Sequence, residues 1–256
     1  MRSLDSPILA ILLLSILFIF TGFQNAYGIQ LFSTKEKPFG TSYDDWVSKY
    51  WNWDVGISKD EWAKNEQCKI NNSNAMVMLL DTVVDGSPDF ICKISSQQGI
   101  MIPMWIAECD NGNDFPNDHG PNLDQRLTEC AKARYNLGNI KSDVTVDGHP
   151  IAGLNVRQSL IPGSKAVDYK VSSIANVTNF SSKGFTITFP PDTHEAGVKP
   201  GTFRSGSQGW WVFLRPLPPG EHIIHYNIRV TPTGPITSPG TNPHFADITY
   251  KLQVAK

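Results

Sequence analysis

The sequence has no large excess of charge of either sign, and it lacks the motifs of several enzyme classes. Its formal net charge is −2, which argues against a nucleic-acid-binding face and against strong electrostatic binding to an anionic membrane. It contains no G-x-S-x-G or S-x-x-K nucleophile motif, no G-x-G-x-x-G and no P-loop. Nucleic acid, nucleotides and serine-nucleophile chemistry are therefore disfavoured.

Long apolar runs are confined to the N-terminus, where they have the pattern of a secretory signal peptide. Arg2 is a positive start, residues 8–20 are apolar apart from Ser15, and Ala26-Tyr27-Gly28 is a small-x-small cleavage site. We expect residues 1–28 to be removed and the mature chain to be secreted or associated with the cell envelope, with no later transmembrane segment. The alternative is an uncleaved N-terminal anchor.

Cysteine is scarce, and its spacing argues against zinc. The four residues are Cys68, Cys92, Cys109 and Cys130, and no two of them have the short C-x-x-C spacing that zinc sites use. In an exported chain an even set predicts two disulfides, for which three pairings exist. We favour the sequential pairs Cys68–Cys92 and Cys109–Cys130, with free thiols as the alternative.

The 18 prolines and 20 glycines predict many turns, as in sandwiches and barrels. The expected fold is a mainly antiparallel β-sandwich of immunoglobulin or jelly-roll type. We expect one domain over residues 29–256, with short helices in residues 29–139 and strands in residues 140–256. The alternative is a small N-terminal α/β region, but its strands alone would make a thin core.

The most apolar part of the mature chain, residues 209–230, predicts a hairpin. Trp210–Leu214 is a short apolar run rich in strand formers. Leu217-Pro218-Pro219-Gly220 then interrupts it, because proline donates no ladder hydrogen bond and glycine supplies turn dihedrals. The extended pattern resumes at Ile223–Val230, and Ile248–Val254 can pair with it. A hairpin alone is marginal, so we expect a larger sheet around it.

Three helices are predicted. The first begins after the cap residue Ser42, ends at Gly56 and carries an aromatic stripe at helical spacing, formed by Tyr43, Trp46, Tyr50 and Trp53. The stripe is either a sugar-stacking face or core, and we favour core. A second, short helix begins at Ser58, and a third runs from Asn122 to Leu137-Gly138.

The stretch from Glu108 to Asn122 is predicted to be a loop and is rich in oxygen donors, which calcium prefers. The candidate calcium ligands are Asp110, Asp114 and Asp118. The stretch departs from the EF-hand pattern, because Gly112 occupies a ligand position and no terminal Glu follows. A solvated loop is therefore the simpler interpretation, and no other cofactor is predicted.

Two further groups of residues were weighed as sites. His222 and His225 invite a metal hypothesis, but residues three apart on a strand point to opposite faces, so we predict no metal site there. Three N-x-S/T sequons mark surface positions if the host glycosylates its exported proteins; their asparagines are Asn71, Asn176 and Asn179.

The chain resembles a group of uncharacterised secreted proteins of bacteria and archaea. The similarity covers most of the mature chain and lies in an aromatic-rich first helix, four cysteines and a Pro-Gly-x-His hairpin. The residues that carry it are Trp46 to Trp53, Phe90-Ile91-Cys92, Glu108-Cys109, Trp210-Trp211-Val212 and Pro219 to His222. The group's Pro-Ala-Gly-Lys after the cysteine is replaced here by Lys93-Ile94-Ser95 and Gln97-Gln98-Gly99. The segment of residues 231–243 is longer than the corresponding segment of the group. The resemblance implies export and disulfides and brings no activity or catalytic residue.

Without a catalytic motif, the sequence favours a non-catalytic extracellular or envelope module. The seven tryptophans suggest binding of a glycan or of a protein partner, because a sandwich can expose aromatic stacking platforms. One alternative is a secreted polysaccharide hydrolase, which needs two carboxyl groups about 5–10 Å apart in an open groove. Another is a calcium-stabilised structural protein.

Overall fold

The computed structural model describes residues 29–63, 68, 70–72, 75–80, 89–116, 118–134, 138–160, 167–174, 177–195, 197–232 and 244–256. Residues Leu31–Lys256 form one compact unit. The predicted signal peptide, residues 1–28, and the sequon residue Asn176 lie outside the described residues. In the part of the chain that is described, no helix is both long and apolar enough to cross a bilayer.

The helices of the described part are α1 (Tyr43–Asp54), α2 (Lys59–Ala63) and α3 (Leu123–Arg134), and a 3₁₀ turn covers Pro38–Gly40. The strands are β1 (Ile70–Asn72), β2 (Met76–Leu79), β3 (Asp89–Ser95), β4 (Gly99–Asp110), β5 (Gly138–Val146), β6 (His149–Leu160), β7 (Val167–Ile174), β8 (Thr178–Ser181), β9 (Phe185–Phe189), β10 (Gly201–Leu214), β11 (Gly220–Pro232) and β12 (His244–Ala255).

The strands form two sheets that pack face to face, which confirms the predicted β-sandwich class. The first sheet has the order β1-β2-β4-β10-β8, with β9 also paired to β10, and the second has the order β3-β12-β11-β5-β6-β7. Both are mixed, because β2 with β4 and β3 with β12 are parallel pairs. Hydrogen bonds cross between the sheets: the Tyr226 hydroxyl donates to the Met104 carbonyl at 3.0 Å, and the Leu80 amide donates to the Tyr250 hydroxyl at 3.1 Å.

The first sheet is covered on its other face by helices, so β4 and β10 are buried along most of their length. Helix α1 starts at the predicted cap, where Ser42 Oγ accepts the Asp45 amide at 3.2 Å. Most of its aromatic stripe is core, as predicted: Trp46 is 2% exposed and Tyr50 is fully buried, whereas Trp53 is half-buried. These side chains join one apolar cluster with Trp211 of β10. Burying such stripes is the main source of helix stability in a folded domain.

The predicted hairpin of residues 209–230 is wrong. Strand β10 pairs with β4, β8 and β9, whereas β11 pairs with β12 and β5. The Leu217-Pro218-Pro219-Gly220 segment is therefore a crossover between the two sheets. Two apolar strands can meet side by side in one sheet or face to face across a core, and the local pattern does not distinguish these arrangements. The predicted pairing of the following strand with Ile248–Val254 is confirmed by β11 and β12.

Two element boundaries also differ from the prediction. Strand β4 continues through Glu108 to Asp110, although the sequence predicted a loop from Glu108. Its partner β10 begins at Gly201, so that Ser207 lies opposite Glu108 and Ser205 lies opposite Asp110; the polar composition of both segments concealed the pairing. Helix α3 ends at Arg134, and Gly138 begins β5 rather than closing the helix.

The cysteines form the two predicted pairs. Cys68 is bonded to Cys92 with a Cα–Cα distance of 5.0 Å, and Cys109 is bonded to Cys130 with a Cα–Cα distance of 6.0 Å. The second bridge joins the end of β4 to α3. It therefore connects two elements that contribute side chains to the candidate site.

Candidate functional site: an acidic, aromatic pocket

A cavity of about 320 Å³ lies among α1, the end of β4, the end of α3 and the segment after β9. We call it the acidic pocket. Three aromatic side chains line it, Trp51, Trp105 and Phe189. Five carboxyl side chains line it as well, Asp54, Glu108, Asp110, Asp114 and Glu195. Arg134 is the cationic residue of the lining. The cavity is of the size at which pockets in proteins begin to hold small ligands.

The local structure explains why these side chains converge. Glu108 and Asp110 are two residues apart on β4, so both side chains lie on the same face of the strand. Trp51 and Asp54 are three residues apart on α1 and share one helix face. Arg134 is the last residue of α3. The pocket is thus assembled from two helices, two strands of the first sheet and the segment after β9.

Glu108 is the most unusual group in the pocket. Its residue is only 8% exposed, and one carboxyl oxygen accepts a hydrogen bond from Ser205 Oγ. Among the described residues the other oxygen has no hydrogen bond. Burial, together with the nearby negative charges of Asp110 and Asp114, raises the pKa of Glu108 to about 8. The carboxyl group therefore carries a proton at neutral pH.

Asp110 and Asp114 organise the turn that follows β4. Asp110 Oδ1 accepts the amides of Gly112 at 2.6 Å and Asn113 at 2.7 Å. Asp114 Oδ2 accepts the Asp110 amide at 2.9 Å, and its other oxygen forms an ion pair with Arg134. Both carboxylates thus hold the backbone in place, as Asp commonly does in turns. They also bring negative charge next to Glu108.

The structure brings two of the three predicted calcium ligands together. Carboxylate oxygens of Asp110 and Asp114 lie within 4.8 Å of each other and of a Glu108 oxygen. Asp118 instead forms an ion pair with Arg126 of α3 at 2.7 Å. Glu108, which belongs to the same oxygen-rich stretch but was not one of the three candidate ligands, takes the third position. The calcium site stays a prediction.

The aromatic wall is held by hydrogen bonds from the first sheet. Trp51 is 8% exposed, and its indole N–H donates to Ser207 Oγ at 2.8 Å. The Ser207 hydroxyl in turn donates to the Ala107 carbonyl at 2.9 Å. The Trp51 ring is therefore fixed before any ligand arrives, which limits the entropy lost on binding.

The tryptophans are not displayed on the open surface as the sequence analysis had suggested. All seven are described, and none is fully exposed; Trp53, Trp62 and Trp105 are half-buried. Trp105 lines the acidic pocket, whereas Trp53 and Trp62 line a second cavity of about 240 Å³. Any stacking of a ligand on tryptophan must therefore take place inside a cavity.

The histidines that were weighed as metal ligands have separate partners. His222 Nδ1 lies 2.7 Å from Asp147 Oδ2, and its Nε2 lies 2.9 Å from the Pro218 carbonyl. His225 contacts Asp247 on the neighbouring strand. Within the described residues, neither histidine belongs to a group of three close metal-ligating side chains.

Two of the three sequon asparagines are described. Asn71 lies in β1 and is half-buried, where it lines a cavity together with Trp53. Asn179 is exposed on β8, and its side-chain oxygen accepts a hydrogen bond from Gln208 Nε2 at 2.5 Å. Glycosylation at Asn71, Asn176 and Asn179 stays a prediction.

Sequence reasoning missed most of the pocket. Asp54, Glu195 and Arg134 are distant in the chain, and only the tertiary fold brings them together. One signal was available: Glu108 directly follows the apolar run Ile100–Ala107, and a carboxyl group at the end of a buried strand is a place where an unusual pKa is common.

No protein-family model, no curated protein and no solved structure matches the chain. The resemblance to uncharacterised secreted proteins therefore stays a prediction, and the function has to be argued from the pocket itself.

Proposed function

We propose that the protein is an exported, non-catalytic module of the extracellular space or cell envelope that binds a saccharide in the acidic pocket. The observation that carries this proposal is the pairing of aromatic walls, Trp51, Trp105 and Phe189, with hydrogen-bonding carboxyl groups in one cavity of about 320 Å³. A sugar offers apolar C–H faces, which pack on aromatic rings, and hydroxyl groups, which need polar partners. The two disulfides support an oxidising compartment.

A hydrolase is the second candidate, and Glu108 is the observation that favours it. A polysaccharide hydrolase needs a protonated carboxyl group beside an ionised one, and the pocket places protonated Glu108 next to Asp110 and Asp114. We rank it second because Asp110 and Asp114 already hold backbone amides and Arg134. A catalytic base or nucleophile has to be available to water or to the sugar.

The test is a titration of the oxidised mature protein with a panel of oligosaccharides, followed by intrinsic tryptophan fluorescence. We expect a saturable change with at least one saccharide and its loss in Trp105→Ala. Trp53→Ala is the matched control, because Trp53 is also half-buried but lines other cavities; it should still bind. A flat response to every saccharide would contradict the proposal. Release of reducing ends from a bound oligosaccharide would favour the hydrolase.

A further inference from the structure

The charge of the acidic pocket restricts which saccharides it can accept. Five carboxyl side chains and one guanidinium line the cavity, and the Arg134 guanidinium is already paired with Asp114. A cavity lined mainly by one sign of charge repels ligands of that sign and concentrates those of the opposite sign. Acidic sugars are therefore disfavoured, and a cationic sugar is favoured over a neutral one.

Glu108 gives a second and independent indication of a cationic ligand. The residue is 8% exposed and lines the cavity, and one of its carboxyl oxygens has no hydrogen bond among the described residues. A carboxyl oxygen in such a place is stabilised by a hydrogen-bond donor or a cation. An ammonium group placed against this oxygen would supply the missing donor and the missing positive charge.

The aromatic walls fit the same ligand. Trp51 and Trp105 line the cavity that Glu108 also lines, and the faces of indole rings attract cations, most strongly where water is excluded. A sugar ring that bears an amino group can use the carboxyl group and the aromatic faces at the same time. A simple amine would interact with the carboxyl group and with the aromatic rings only through its charge, because it has no sugar ring to pack on the aromatic faces.

We infer that the saccharide bound in the acidic pocket carries free amino groups, as glucosamine units do, and that an ammonium group binds between the Glu108 carboxyl group and the indole rings of Trp51 and Trp105. This inference rests on the proposed saccharide-binding function. The other charged groups around Glu108 are Asp110, Asp114 and Arg134, and the cavity is completed by Asp54 and Glu195.

The experiment compares glucosamine oligosaccharides with N-acetylglucosamine oligosaccharides of the same length by calorimetry. The titrations are made near pH 6, so that amino groups of the aminated oligosaccharide carry protons. We expect the aminated oligosaccharide to bind at least about tenfold more tightly, since an ion pair with a carboxylate in a protected site is worth more than one in water.

Glu108→Gln tests the role of the carboxyl group, because the amide cannot ionise. The variant should lose the preference for the aminated oligosaccharide, so that the two oligosaccharides bind it with similar affinity. Glu221→Gln is the matched control: Glu221 is exposed and lies outside the pocket, so its variant should behave as the wild type. The melting temperature and circular dichroism of each variant confirm that it is folded.

The outcomes separate this inference from the proposed function. If both oligosaccharides bind equally, or if the acetylated one binds more tightly, the inference is wrong while saccharide binding stands. If no saccharide binds, the proposed function fails and the inference fails with it. Binding of a lysine-rich peptide without binding of any saccharide would likewise overturn both.

Discussion

The Trp51 indole nitrogen lies 2.8 Å from Ser207 Oγ, across 156 positions of sequence. This hydrogen bond connects α1 to β10, and the same serine hydroxyl continues to the Ala107 carbonyl on β4. Helix α1 and strands β4 and β10 thus meet at the Ser207 side chain, which holds Trp51 of the acidic pocket. The bond is buried, so neither partner can exchange it for water.

We expect Ser207→Ala to destabilise the protein by about 1–3 kcal/mol, because it leaves the Trp51 N–H buried without an acceptor. Urea denaturation measures the loss. In a Trp51→Phe background, which lacks the N–H, the same change should cost less. An equal cost in both backgrounds would show that the hydrogen bond contributes nothing. Saccharide affinity should fall with Ser207→Ala, since the Trp51 ring loses its fixed orientation.

Glu108 should make the stability of the protein fall as pH rises. Burial raises its folded pKa to about 8, so the folded state keeps a proton that the unfolded state gives up. Unfolding then releases a proton at every pH between the ordinary value near 4.5 and about 8. Over this window the free energy of unfolding should decrease by up to about 5 kcal/mol.

Glu108→Gln should remove this pH dependence, because its amide has no proton to lose and can still accept from Ser205. We expect the variant to be more stable than the wild type near pH 8 and to lose that advantage near pH 5. Denaturation curves at several pH values measure the effect, with Glu221→Gln as the control. Parallel pH profiles for Glu108→Gln and the wild type would contradict the assignment.

The Asp124–Arg204 pair should stabilise the protein in the opposite pH range. Arg204 Nε and Nη2 donate to the two oxygens of Asp124 at 2.7 and 2.6 Å, and these hydrogen bonds hold the pKa of Asp124 below its usual range. The stabilisation is present above the usual carboxyl pKa and is lost as pH falls through the folded one. Because both side chains are about two-fifths exposed, it should amount to no more than about 1 kcal/mol.

Asp124→Asn tests this pair by chemical denaturation near neutral pH and near pH 3. We expect a measurable loss of stability at neutral pH and almost none in acid, where the wild-type carboxylate also becomes protonated. Arg204→Lys should show an intermediate loss, because lysine keeps the charge but not the two parallel hydrogen bonds. A loss that is equal at both pH values would mean that packing, not the ion pair, is responsible.

Calcium should not raise the melting temperature. The oxygens of Asp110 are occupied by the Gly112 amide and by the amide and side chain of Asn113, and Asp114 holds Arg134. A calcium ion would have to displace these donors and the arginine. Melting curves with added calcium and with a chelator should therefore superimpose. A rise in melting temperature with calcium, reversed by the chelator, would instead support the predicted calcium site.

Local patterns predicted those parts of the fold that depend on neighbouring residues. The spacing of Trp46 and Tyr50 predicted a buried helix face, and the Ser42 cap predicted where that helix begins. The disulfide pairs were also anticipated. The helix signal lies between residues about one turn apart, and the bonded cysteines are 24 and 21 positions apart.

Sequence reasoning failed where the deciding partner is remote. The two strands that flank Pro218-Pro219 would be equally apolar whether they paired as a hairpin or belonged to different sheets. The sheet that each strand joins depends on partners elsewhere in the chain. Glu108 belongs to a strand because β10 offers it a partner about 100 residues later. The pocket depends on the same distant pairing, and for this reason its chemistry is absent from any local motif.

The Cys109–Cys130 bridge fixes β4, which carries Glu108 and Asp110, to α3, which carries Arg134. In the reduced chain this junction would rest on non-covalent contacts alone, such as the Arg134–Asp114 ion pair. Reduction should therefore loosen the walls of the acidic pocket, since a crosslink limits the relative movement of the two elements that it joins.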